Sequence, residues 1–109
     1  MRTDIVWLEP WAPIERPDEQ EALQAELHLE LCPSHQLYGS SVVAVARRHD
    51  QDDVLFGLAD GRVAEVHLTW SRKPERDPRW PRTIIFASAA DWSTRQMRPL
   101  HEEFRKVRR

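Results

Sequence analysis

Glu65 and His67 stand two residues apart in Val63-Ala64-Glu65-Val66-His67-Leu68-Thr69-Trp70, a run whose alternation predicts a strand. At that spacing both side chains share one face, which sets a carboxylate beside an imidazole, the pairing that acid–base chemistry uses. With nearby arginines the two make a small enzyme one reading of the chain. The remaining histidines, His28, His35, His49 and His101, form no H-E-x-x-H, have no paired cysteine and give no pair at i, i+4, so no metal site is expected. Cys32 lacks a flanking cation and sits beside Pro33 at an apolar helix end, which predicts a buried thiol rather than a nucleophile. Three glycines in the chain leave no phosphate-cradling loop, and G-x-S-x-G, P-loop and G-x-G-x-x-G patterns are absent. The residues therefore assign no catalytic group, no metal and no cofactor.

Two stretches carry the chemistry of binding instead. Residues 70–82, Trp70-Ser71-Arg72-Lys73-Pro74-Glu75-Arg76-Asp77-Pro78-Arg79-Trp80-Pro81-Arg82, concentrate five cations and two tryptophans in a loop stiffened by prolines. Arginine and tryptophan are enriched at binding hot spots, and a stiff loop loses less entropy on association. Arg72, Lys73, Arg76, Arg79 and Trp80 are the candidate contacts. The same composition suits single-stranded nucleic acid, with indoles stacking on bases; against this, Glu75 and Asp77 dilute the charge and the sequence pI is about 6.2. The second stretch is His49-Asp50-Gln51-Asp52-Asp53, in which Asp50, Asp52 and Asp53 form an anionic turn. It lacks the mid-loop glycine and terminal glutamate of an EF-hand, so it reads as a patch for a basic partner before a calcium site.

The elements that must position these residues follow from the pattern. Ile5-Val6-Trp7-Leu8 suggests a short edge strand ended by Pro10 and Pro13. A helix follows, with Asp18 as its cap, Glu21 reaching back, and Leu23, Leu27 and Leu31 as one apolar stripe that stops near Cys32 before Pro33. Val42-Val43-Ala44-Val45-Ala46, apolar on both faces, reads as a central strand. Val54-Leu55-Phe56-Gly57-Leu58 and residues 63–70 flank Asp60-Gly61, which predicts a hairpin with those two residues as its loop. That register pairs Leu58 with Val63, Phe56 with Glu65 and Val54 with His67, and puts Ala64, Val66, Leu68 and Trp70 on the buried face. Thr83-Ile84-Ile85-Phe86-Ala87 closes the sheet. Ser88 and Asp91 form a capping box for a helix to Met97, and Pro99 starts another that ends in Arg105-Lys106-Val107-Arg108-Arg109. The expectation is a single α+β domain over residues 1–109: N-terminal helix, three- to four-stranded antiparallel meander, C-terminal helix.

Composition agrees with one folded domain. The chain has 109 residues, room for one core but not two. Charged residues make up 31%, yet five tryptophans and many branched aliphatics remain, which excludes disorder. Twelve Asp/Glu against four Lys/Arg give −8 through Asp60, and six against twelve give +6 beyond it. Such segregation marks a partner surface unless the halves interleave on folding. Neither a signal peptide nor an apolar run of membrane-spanning length is visible, and a lone cysteine suits a reducing compartment, so a cytoplasmic protein without a membrane partner is expected.

Leu37-Tyr38-Gly39, Asp52-Asp53-Val54-Leu55-Phe56, Val66-His67-Leu68-Thr69-Trp70, Trp80-Pro81, and Met97 followed by His101-Glu102-Glu103-Phe104 resemble a family of short bacterial proteins of unassigned function. The likeness spans most of the chain from Leu37 onward and implies no active residue. In size and composition such proteins are similar to the immunity proteins of bacterial toxin systems, a likeness of class and not of motif. The leading expectation is a non-enzymatic protein-binding domain, of immunity type. The alternatives are a nucleic-acid-binding module and a small enzyme using Glu65 and His67; a cleft enclosing His67 with a carboxylate in hydrogen-bond reach would favour the enzyme.

Overall fold

The computed structural model of the chain describes residues 5–107. Five strands form one antiparallel sheet in sequence order: β1 (Trp11–Pro13), β2 (Val42–Arg48), β3 (Asp53–Leu58), β4 (Val63–His67) and β5 (Arg82–Phe86). Helix α1 (Pro17–Glu30) joins β1 to β2. After β5 come α2 (Ala89–Trp92), a π-helical turn (Ser93–Met97) and α3 (Arg98–Val107). The α+β class is as expected, with five strands in place of three or four.

The extra strand is β1, and it is not the Ile5-Val6-Trp7-Leu8 run, which lies outside the sheet. Ile5, Trp7 and Leu8 pack instead against a hydrophobic cluster that holds Trp11 and Trp92, while Val6 stands in solvent. Proline at the end of β1 is tolerated because β1 is an edge strand, paired only with β2. Helix α1 starts two residues earlier than the cap pattern implied. Pro17 takes the first helical position, Arg16 is the flanking residue, and Asp18 binds the Arg16 guanidinium at 2.6 Å instead of capping. The stripe Leu23, Leu27 and Leu31 is buried as predicted, against Val54, Phe56, Ala64, Val66 and Leu68 on one face of the sheet. Each leucine fully withdrawn from water contributes roughly 1.5–3 kcal/mol.

The other face meets the C-terminal helical stretch. Trp92 and Met97 pack with Trp11 on Ala46, Leu55, Val63 and Phe86. The Ser88 hydroxyl accepts from the Asp91 N–H at 3.0 Å and so caps the helix, while the Asp91 carboxylate accepts from the Ala87 N–H at 3.4 Å instead of closing the box on Ser88. Pro99 does not begin a separate helix; the chain is helical throughout residues 89–107. A proline ring collides with the carbonyl four residues back in a regular α-helix. The wide turn before it, closed by the Arg98 N–H on the Ser93 carbonyl, takes up that misfit. Arg105 and Lys106 end α3, and Arg108 and Arg109 lie outside the described residues.

Two local features set which side chains share a face. The β3–β4 hairpin turns through three residues, Ala59-Asp60-Gly61, not through Asp60-Gly61 alone. The Leu58 N–H donates to the Arg62 carbonyl at 2.9 Å, and Gly61 takes φ +92. A type I turn followed by a left-handed residue has this three-residue form. Asp53 is consequently opposite His67 and Leu55 opposite Glu65, one residue away from the expected pairing. In β2, Ala44 faces Phe56 and Ala46 faces Leu55, which leaves Val45 as a bulge. Val42 and Ala44 point to α1, whereas Ala46 belongs to the opposite cluster.

Candidate functional site

The C-terminal helical stretch covers only the hairpin end of its face of the sheet. At the other end the same face turns polar. Asp53 opens β3, Glu65 and His67 lie in β4, Arg82 and Ile84 in β5, and the bulge brings Arg48 of β2 to this side. Together with Trp80 from the preceding loop and Gln96 from the π-helical turn, they line a cleft of about 370 Å³.

The floor of the cleft is internally bonded. His67 Nδ1 lies 2.6 Å from Asp53 Oδ1, and Asp53 is buried. Glu65, also buried, accepts from Trp92 Nε1 at 2.8 Å and from Gln96 Nε2 at 3.3 Å. Burial pushes the Glu65 carboxyl up; its hydrogen bond and charge repulsion with Asp53 add to that, against the bonds from Trp92 and Gln96. Arg48 is held by Asp50 through two bonds of 2.9 and 2.8 Å. Burial lowers Arg48, but Asp50, Asp53 and Glu65 outweigh it and keep the guanidinium firmly charged. The bonds from Arg48 in turn hold Asp50 below the ordinary carboxylate range. The tautomer that donates its Nδ1–H to Asp53 presents Nε2 as an acceptor, and that atom has no hydrogen-bond partner among the described residues.

The wall of the cleft is different in kind. Trp80 is 41% exposed and Ile84 49% exposed, large apolar side chains standing in solvent beside the polar floor. Arg82, opposite His67 in the β4–β5 register, is exposed and forms no ion pair among the described residues.

The loop of residues 71–81 is fixed from beneath by α1. Glu30, fully buried, accepts from the Thr69 and Trp70 N–H groups at 2.9 Å each, and Glu26 accepts from the Arg72 N–H at 3.1 Å. These bonds hold Trp70 at φ 56 and Arg72 at φ 59, a region that side-chain-bearing residues rarely adopt. At the far end the buried His35 bonds the Pro81 carbonyl through Nε2 at 2.9 Å while its Nδ1 accepts from the Leu37 N–H. Trp80 is thus carried on an anchored segment.

Trp70 corrects a sequence expectation. It does not extend the buried row of Ala64, Val66 and Leu68, because the chain leaves the sheet after Leu68 and turns on the Glu30 carboxylate; its side chain is 39% exposed. The candidate binding residues are dispersed. Trp80 and Asp53 meet in the cleft. Arg72, Lys73, Arg76 and Arg79 are exposed on the loop, and Arg79 is engaged by Asp77 at 2.6 Å. Asp50 and Asp52 border a separate shallow depression together with Arg47 and His49. Cys32 is buried, and among the described residues no cluster of three His, Cys, Asp or Glu suits a metal ion.

Reading by residue type missed Arg48, Gln96, His35, Glu26 and Glu30. For the last two a signal existed. Leu23, Glu26, Leu27, Glu30 and Leu31 follow the i, i+3, i+4, i+7, i+8 spacing of a buried helix face, which marks both glutamates as inward-pointing. No protein-family model, no curated protein and no solved structure matches this chain.

Proposed function

We propose that this chain is a non-enzymatic protein-binding domain whose recognition site is the cleft beside Trp80. One observation carries the reading: a half-exposed indole on an anchored loop stands over a polar floor that is already hydrogen-bonded within the protein. An ordered, solvent-facing tryptophan at the edge of a preformed hollow is the arrangement that interface anchors adopt. The expected site thereby moves from the outer loop cations to the cleft, keeping Trp80 and Asp53. An immunity-type role is one form of this proposal, resting on size and composition rather than on any residue of the cleft. A cytoplasmic setting belongs to the same proposal and rests on the lone thiol of Cys32; among the described residues no helix is long and apolar enough to cross a membrane.

The test is site-specific photocrosslinking in the producing cell, with the probe at Ile84 in the cleft or at Arg76 on the outer loop. The Ile84 probe should capture one defined partner, and Trp80→Ala should abolish the capture. Equal capture from both positions would remove the cleft from the interface.

The Asp53–His67 bond supports a second reading, because it meets the condition set for an enzyme: a cleft that encloses His67 with a carboxylate in reach. A carboxylate on Nδ1 orients the ring and leaves Nε2 to take a proton. No serine, threonine or cysteine shares this lining, so water or the substrate itself would supply the nucleophile. Screening hydrolytic turnover with wild type and His67→Gln checks it; activity that persists in the variant would rule His67 out as the base.

A further inference from the structure

We infer that the occupant of the cleft is an acidic residue of a protein partner, its carboxylate received by Arg82 and a neighbouring peptide N–H by His67 Nε2. The inference rests on the binding reading above and specifies its ligand.

The accounting of donors and acceptors leads there. A cation would need free carboxylate oxygens, and the floor has few to give. Asp53 is engaged by His67, and Glu65 by Trp92 and Gln96. Of the two arginines lining the cleft, Arg48 is locked to Asp50 by two bonds, while Arg82 is bound to nothing among the described residues. The free groups are therefore one guanidinium, which matches a carboxylate in two-pronged geometry, and one imidazole acceptor, which matches an N–H. They are neighbours across the β4–β5 pairing, His67 opposite Arg82. A residue that carries a carboxylate two or three bonds from its own backbone supplies both partners at once. Trp80 and Ile84 stand ready for the apolar part of the same segment.

The surroundings argue against a polyanion such as a nucleic-acid strand. Asp53 and Glu65 line the cleft itself, Asp50 stands beside it on Arg48, and the chain as a whole carries −2, against the cations of the adjoining loop. A single carboxylate meets Arg82 without approaching all of those charges; a run of phosphates does not.

The experiment is an NMR titration of the isotopically labelled full chain with the capped dipeptide acetyl-Leu-Glu-amide, in parallel with acetyl-Leu-Gln-amide. The acidic peptide should give saturable shifts at millimolar concentration, confined to the Trp80 indole N–H and the amides of β4 and β5. The neutral peptide should bind about tenfold more weakly, and Arg82→Gln should erase the difference. Equal affinity for the two peptides, or a preference that survives Arg82→Gln, would overturn the carboxylate assignment and leave the cleft a binding site. Absence of shifts with both peptides would overturn it too, and the Ile84 crosslink then decides separately whether the cleft binds a protein. Stronger shifts at these residues with oligothymidylate than with the acidic peptide would replace the inference with a nucleic-acid ligand.

Discussion

The indole N–H of Trp92 donates to Glu65 Oε1 at 2.8 Å, joining the C-terminal helical stretch to the polar end of β4. The ring also stacks edge-on with Trp11 at 5.0 Å between centroids. Trp92 therefore belongs to the second hydrophobic cluster and to the cleft floor at once. Truncating it removes a large buried aromatic, on the scale of roughly 3–5 kcal/mol. Trp92→Phe keeps most of the ring but strips a donor from a buried carboxylate, a loss of about 1–3 kcal/mol. Urea denaturation should rank the two variants in that order, and combining Trp92→Phe with Glu65→Leu should recover part of the second loss.

Glu30 makes stability depend on pH. Its carboxyl rises from 4.5 to about 7 in the folded chain, first through burial and then through its bond with Glu26, against the Thr69 and Trp70 bonds. The folded state thus keeps a proton that the unfolded state releases between those two values. Stability should decline as pH rises through that window and level off above it, by up to about 3 kcal/mol at 1.36 kcal/mol per pH unit. Glu65, raised in the same direction, adds to the slope. Denaturation midpoints measured from pH 4.5 to 8 should flatten in Glu30→Gln. An unchanged slope would assign the effect to another group.

Trp70 offers a sharper contrast. Its side chain is 39% exposed and so only partly covered, and Trp70→Ala should cost about 1–2 kcal/mol, less than the roughly 3–5 kcal/mol of a core tryptophan. Its φ of 56 favours glycine, so Trp70→Gly should be the more stable of the two. Thermal melts of the pair check both statements; a large loss in either would place the ring in the core.

Gly61 is required by the three-residue hairpin loop. At φ +92 a β-branched residue is strained although nothing stands within 4 Å of the site a Cβ would occupy. Gly61→Val should cost on the order of 1–3 kcal/mol, and Gly61→Asn clearly less. Chemical denaturation of both variants distinguishes backbone strain from a steric clash, since a clash would penalise asparagine as well.

Most of the architecture is legible in the sequence because it rests on local pattern: the leucine stripe of α1, the β3–β4 strands and the Ser88 cap all appear where their patterns lie. The site is less legible, and the reason is a single residue of loop length. A two-residue turn puts Val54 opposite His67 and Asp53 on the other face. The three-residue turn exchanges them and creates the Asp53–His67 bond. Gly61 marks the turn but does not fix its length. Trp70 eluded the alternation for a different reason: its position is dictated by Glu30, 40 residues away in sequence. Composition likewise singled out the loop cations, while the tertiary structure leaves most of them in solvent and recruits Arg48 and Gln96 to the cleft.

The bulge at Val45 divides β2 into two segments of opposite phase. Up to Ala44 the even-numbered residues look toward α1; from Ala46 they look toward the C-terminal helical stretch and the cleft. Tolerance to substitution along this strand should therefore break step in the middle rather than alternate throughout. The two adjacent arginines beyond the break acquire separate allegiances: Arg47 turns to Glu19 on α1, and Arg48 to the cleft. Neighbours of the same residue type, one peptide bond apart, thus serve opposite sides of the molecule, and exchanging either for lysine should be felt on one side alone.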